Sequence, residues 1–131
     1  ELGDATNYQW QPPIGAIVCE AYLGPPMSAP PIDIKLKEVK QQGQTLIKTF
    51  LKNLSSQIAS NTPVVLAIPA WRRTDGSYAR LNLLDEIKKM GYNSGKYKNL
   101  SQKDMIYYRE GQIVAREIIV LRKSKAKNVT C

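Results

Sequence analysis

The stretch Ala16-Ile-Val-Cys-Glu-Ala-Tyr-Leu-Gly-Pro-Pro26 constrains the fold more than any other. Its apolar run ends on a lone carboxylate, Glu20, and turns at once through Tyr22 into a rigid Gly-Pro-Pro corner. Pro12 and Pro13 cannot join a strand ladder, so a strand over 14–22 begins after them. Continuously apolar up to Glu20, it reads as a strand covered on both faces. Such a strand delivers a polar group to its carboxyl end, where α/β sheets hold their ligands.

The rest of the chain reads as more of such a sheet. Gly24 to Pro31 holds four prolines and forms an extended loop, a suitable ligand wall. Asp33 then serves as a helix N-cap. Apolar residues recur at steps of three and four from Leu36 to Ile58, which predicts an amphipathic helix to about residue 60, with Gly43 marking a bend. Residues 63–69 form a second buried strand, followed by Trp71-Arg-Arg73 and a turn at Thr74-Asp-Gly-Ser77. Residues 81–90 give a shorter helix closed by Gly91, and 92–104 reads as loop. The β-branched and aromatic runs 105–109 and 113–121, joined by Glu110-Gly-Gln112, predict an antiparallel hairpin. The fold class is α/β: two parallel strands with crossover helices plus a terminal hairpin, in one domain.

Composition excludes several chemistries. The 131 residues include no His, which removes His-based metal sites and Ser-His or Cys-His nucleophilic pairs. The two cysteines, Cys19 in a predicted strand and Cys131 at the last position, make no disulfide framework, and free thiols imply a reducing cytoplasm. On that ground the Asn128-Val-Thr130 sequon is accidental. No apolar run reaches membrane-spanning length, so no membrane partner is expected. Lys and Arg number 19 against 11 Asp and Glu, a net charge of +8. That excess suits a phosphate-rich partner or a solvated Lys-rich surface, and part of it lies in the tail Arg122-Lys-Ser-Lys-Ala-Lys127, which also reads as a frayed end. The opening Glu1-Leu-Gly-Asp-Ala-Thr6 reads as the middle of a domain, as in a fragment.

The element order, together with Glu20-Ala-Tyr-Leu-Gly-Pro25, Gly3-Asp-Ala5, Val65-Leu-Ala-Ile-Pro69, Tyr108-Arg-Glu-Gly-Gln112 and Ala115-Arg-Glu117, resembles the second half of a class I S-adenosylmethionine-dependent methyltransferase. The similarity is closest to the tRNA guanosine N2-methyltransferases and their DNA-methylase-like relatives. The resemblance implies a Rossmann-like sheet in which the fourth strand ends in an Asx-Pro-Pro-aromatic motif. It implies catalytic roles for Glu20 and Tyr22, cofactor contacts from Asp4, Ala5 and Glu20, and substrate contacts from Leu23, Gly24 and Pro25. The chemistry behind such a motif is clear. An exocyclic amine is a poor nucleophile because its lone pair is delocalised into the ring. A carboxylate and a backbone carbonyl held by prolines accept its N–H groups and localise that pair, so positioning and electrostatics supply most of the effect. Tyr22 would stack on the extruded base. The alternative is that Glu20 is a strand-end carboxylate bound to backbone amides and Tyr22 plain packing.

Two departures from the family pattern stand out. Ala21 takes the place of the first proline, with Tyr22 and Leu23 after it. The eight glycines nowhere form Gly-x-Gly-x-x-Gly, and the acidic residue that holds the ribose is missing with that loop. The chain is therefore expected to bind S-adenosylmethionine weakly or not at all, and the outer edge of strand 14–22 is expected to be bare and open to a second copy or a missing-half partner. Trp71 either stacks on a base or is buried against the Pro-rich loop. Arg72 and Arg73 either hold phosphate or lie in a solvated turn. Three readings stay open: the substrate side of an RNA or DNA amino-methyltransferase, a non-catalytic nucleic-acid-binding or assembly module, and a small α/β domain with no nucleic-acid role. RNA is favoured over DNA by the resemblance alone.

Overall fold

A computed structural model describes residues 2–95 and 99–125. Cys131, the sequon and the end of the basic tail lie outside them. The chain folds as strands β1 (Ile17–Glu20), β2 (Pro63–Arg72), β3 (Tyr78–Arg80), β4 (Tyr92–Ser94), β5 (Ile106–Tyr107) and β6 (Val114–Lys123), with helices α1 (Asp33–Ser55) and α2 (Leu84–Lys89). A short 3₁₀ turn, Gln102–Met105, leads into β5. The sheet runs β1-β2-β6-β4, with β3 on β2 and β5 on β6. β1 and β2 are parallel and every other pairing is antiparallel. The fold is therefore α/β with a mixed six-stranded sheet.

The long ladder between β2 and β6 sets the two faces. Val64, Leu66, Ile68 and Ala70 lie opposite Leu121, Ile119, Glu117 and Ala115. Strand residues alternate faces, so these eight share one side, and all are buried. Both helices lie there. Tyr92, which pairs with Lys123 and so shares that side, donates its hydroxyl to the Leu51 carbonyl of α1 at 2.6 Å. Ile87 of α2 lines a cavity with Ile68, Glu117 and Ile119. Lys48 of α1 ties to Glu86 of α2 at 2.9 Å. Burial pushes the Tyr92 phenol far above the ordinary tyrosine range.

The other face carries Val18, Val65, Ala67, Ile118 and Val120, none of which is fully buried. This corrects the expectation of a doubly covered strand over 14–22. β1 is shorter, 17–20; Ile17 and Cys19 are half-buried, and Val18 is 83% exposed. Among the described residues β1 is also the outer strand of the sheet, so the edge expected beside it is unpaired there.

Other boundaries moved for local reasons. α1 stops at Ser55, and its N-cap is Ile32 with no side-chain cap, so Asp33 is its first residue. Asp33 still places a negative charge in the first turn, where the helix dipole favours it. α1 runs unbroken through Gly43. A Cβ there would sit 3.3 Å from Leu81 Cδ2, so glycine lets the helix approach that residue closely. α2 begins at Leu84, and Gly91 closes it at φ +94°.

β2 continues through Pro69 to Arg72, against the expectation that it ends there. Ala67 accepts from the Ala21 N–H on the β1 side at 2.9 Å, so by alternation Pro69 also faces that side. There β1 ends opposite Ala67, and β3, running the other way, ends with Arg80 opposite Ala70. The donor that proline lacks points into the gap between them and breaks no ladder bond. β3, the return arm of a hairpin over Asp75-Gly76, was not expected, nor was β4 inside the supposed loop 92–104. In the terminal hairpin the first arm is only Ile106–Tyr107.

Leu51 is fully buried beneath this sheet and Val18 is bare. Leu51→Ala should therefore cost about 2–5 kcal/mol, and Val18→Ala should fall within about 0.5 kcal/mol of wild type, both read from urea denaturation midpoints.

Candidate functional site

Glu20 is the last residue of β1, and its side chain is 54% exposed. Arg116 of β6 lies on the same face, two strands away, opposite Pro69. It reaches across and donates from Nε to Glu20 Oε2 at 2.6 Å. The partner of Glu20 is thus an arginine from ninety-six positions later, not backbone amides. Its neighbour Glu117 points to the opposite face and accepts from Arg80 Nε at 2.5 Å. Adjacent residues of opposite charge on one strand thus find opposite partners on the two sides of the sheet. The Glu117 side chain is 8% exposed, so this second pair is well shielded from solvent, where a missing partner would be costly.

Arg116 also floors a cleft of about 320 Å³. Leu23, Gly24, Pro25, Pro26 and Met27 form one wall, and Gly111 to Val114 the other. Gly24 holds φ +84°, a conformation that favours glycine, and this lets the corner turn down over Trp71. A Cβ on Gly24 would stand 3.9 Å from Trp71 Cζ2. Trp71 is 1% exposed and offers no face to a base, so of its two expected fates it has the structural one. Its indole N–H is buried without a hydrogen-bond partner among the described residues, which costs about 1–3 kcal/mol against the gain from burying the ring.

Of the expected site residues, the structure gathers Glu20, Leu23, Gly24 and Pro25 around Arg116. Tyr22 is 64% exposed beside them. Arg72 and Arg73 do not join this group. Both are exposed at the β2–β3 hairpin, and Arg72 pairs with Tyr78 on the helix-covered side. Asp4 and Ala5 are occupied elsewhere. The Asp4 carboxylate accepts from Thr6 N at 2.9 Å and Thr6 Oγ1 at 2.7 Å, bonds that hold it below its usual carboxylate range. The Ala5 carbonyl accepts from Asn53 of α1 at 3.0 Å. Gln57 and Asn53 bind the Tyr8 carbonyl, and Trp10 packs edge-on to Phe50, so this segment docks along α1.

Arg116 was missed as a site residue, although the alternation of β6 places it on the face of Ile118 and Val120. Nor was the pair Tyr107 and Arg109 singled out. Tyr107 lies opposite Arg116, and the Arg109 guanidinium holds its phenol below the ordinary tyrosine range through a hydrogen bond and its charge. Burial, with the adjacent Glu20 carboxylate, pushes the Cys19 thiol up, which keeps it protonated and unsuited to nucleophilic work at neutral pH. No cluster of metal-ligating side chains occurs among the described residues, and no helix among them is long and apolar enough to cross a membrane.

No protein-family model matches the chain, and no curated protein matches it.

An alkaline absorbance titration should show Tyr107 ionising below the ordinary tyrosine range and Tyr92 above it. Arg109→Gln should return the early step upward to the ordinary tyrosine range and leave Tyr92 unmoved.

Proposed function

We propose that this chain is the substrate-side portion of an S-adenosylmethionine-dependent nucleic-acid methyltransferase acting on an exocyclic amine, with guanine N2 of tRNA the favoured target. The observation that carries the reading is the accessible Glu20 carboxylate, fixed through one oxygen by Arg116 at the mouth of the Gly24-Pro25 cleft. Held in that way, its other oxygen is available to accept an amine N–H, and the rigid loop limits where the base can lie. The arrangement of parallel β1 and β2 across α1, with a terminal antiparallel hairpin and a bare β1 edge, agrees with the resemblance of the sequence.

The described residues do not fit the methyl donor. Asp4 is closed into a turn with Thr6, and Ala5 is docked on α1. This chain's own part is therefore confined to seating the base and accepting its N–H. Calorimetric titration with S-adenosylmethionine should give no micromolar binding by the chain alone.

The decisive test is made in the organism that carries the gene. Its deletion should remove one N-methylated nucleoside from digested tRNA, and the wild-type gene should restore it while Glu20→Gln should not. An unchanged nucleoside profile in the deletion strain overturns the reading. Restoration by Glu20→Gln removes the carboxylate from it.

A bare β1 edge beside an exposed Val18 also suits strand addition, by a second copy or by a partner that completes the sheet. Light scattering should show mass rising with concentration, and Val18→Lys should suppress it. A wild-type mass that stays monomeric at all concentrations tells against the second copy.

A further inference from the structure

A groove of about 780 Å³ opens on the helix-covered side at the far end of β6. Lys88 and Lys89 line it from the last turn of α2, and Lys123 and Lys125 from the end of β6 and just beyond. Asp85 is the acidic residue among its lining. Glu86, next along the helix, is engaged by Lys48. Four lysines thus line the groove with one carboxylate. We infer that this groove binds the phosphodiester backbone of RNA, as a contact surface separate from the Glu20 cleft.

The framework under these lysines is fixed. Lys123 Nζ lies 5.6 Å from the centre of the buried Tyr92 ring. The strand end is pinned by Asn61 N to Lys123 O at 2.6 Å, Lys123 N to Thr62 O at 3.0 Å and Ser124 N to Gly91 O at 2.9 Å. Little ordering is left for a ligand to impose on the backbone. Lysine ammonium groups act as point charges that neutralise phosphates without reading a base, so the surface positions a nucleic acid and does not select its sequence.

The alternatives fit less well. A peptide that adds a strand would have to pair along the outer edge of β4, which is only three residues long. A lipid surface takes lysines flanked by exposed apolar or aromatic side chains. The large exposed hydrophobics, such as Val18, Tyr22, Ile32 and Ile34, belong to other parts of the chain and do not line this groove.

Arg116 and Lys123 are seven positions apart on β6, roughly 24 Å at ~3.4 Å per residue. The groove and the Glu20 cleft also lie on opposite faces. An RNA engaging both therefore has to pass around the sheet, which a folded RNA can do and a single nucleotide cannot. The inference rests on the proposed function only in its choice of RNA as the polyanion.

The test is fluorescence anisotropy of the full chain with a fluorescein-labelled tRNA transcript across a salt series. The triple variant Lys88→Gln, Lys89→Gln, Lys125→Gln keeps Lys123 over Tyr92, and circular dichroism checks its fold. Loss of about three phosphate contacts should flatten the slope of log K against log salt by roughly two to three and weaken binding at low salt by at least about tenfold. Lys35→Gln, which removes an exposed lysine of α1 that does not line the groove, should bind as wild type. An unchanged slope in a folded triple variant overturns the inference. So does lysine-dependent binding to phosphatidylserine vesicles without a matching loss on RNA. The triple variant losing RNA while tRNA nucleosides are unchanged in the deletion strain would leave the groove standing and remove the methyltransferase reading. The reverse pattern would do the opposite.

Discussion

The nine-pair antiparallel ladder between β2 and β6 is the interaction on which the other elements depend. β1 and β3 attach to one side of it and β4 and β5 to the other. Both helices lie on the face this ladder lays out, and the segment leading to Trp10 docks in turn on α1. Its two strands lie thirty or more residues apart in sequence, so closing it carries an entropic cost that only the burial of residues such as Val64, Leu66, Ile119 and Leu121 offsets. Both candidate surfaces follow from its length. Arg116 stands near one end of β6 and Lys123 at the other, and each lies beside groups brought in by different flanking elements.

The parts of this fold that repeat a period were legible in the sequence. The three-and-four spacing of α1 and the alternation of β6 gave their type and approximate extent. Short elements had no period to show. β4 is three residues whose one strong feature, Tyr92, is buried because its hydroxyl reaches Leu51, forty-one positions earlier. β3 is likewise three residues, formed because the Asp75-Gly76 turn returns the chain to β2. β2 runs past the expected 63–69 for a different reason: proline ends a ladder only where a partner strand waits for its N–H, and that depends on topology, not on the residue.

The site was legible in half. The carboxylate at a strand end and the rigid corner after it were visible as a local sequence. Its partner was not, because Arg116 is remote in the chain, and a basic residue within a β-branched run reads as surface until register fixes what it faces. Trp71 shows the converse. Its place at a strand end left stacking and burial equally open, and the structure buries it with Gly24, forty-seven positions earlier, beside it.

One consequence concerns how the chain leaves β1. β1 and β3 lie end to end along the same side of β2, with the gap at Pro69 between them. The lane beyond Glu20 is therefore already taken, and the chain must swing out of the sheet at that residue. What fixes the exit of the Gly-Pro-Pro corner is a hairpin more than fifty residues downstream. A change in the Asp75-Gly76 turn that unmade β3 would free that lane, let β1 run on, and carry Glu20 from the lip of the sheet into its interior edge without any contact between the two.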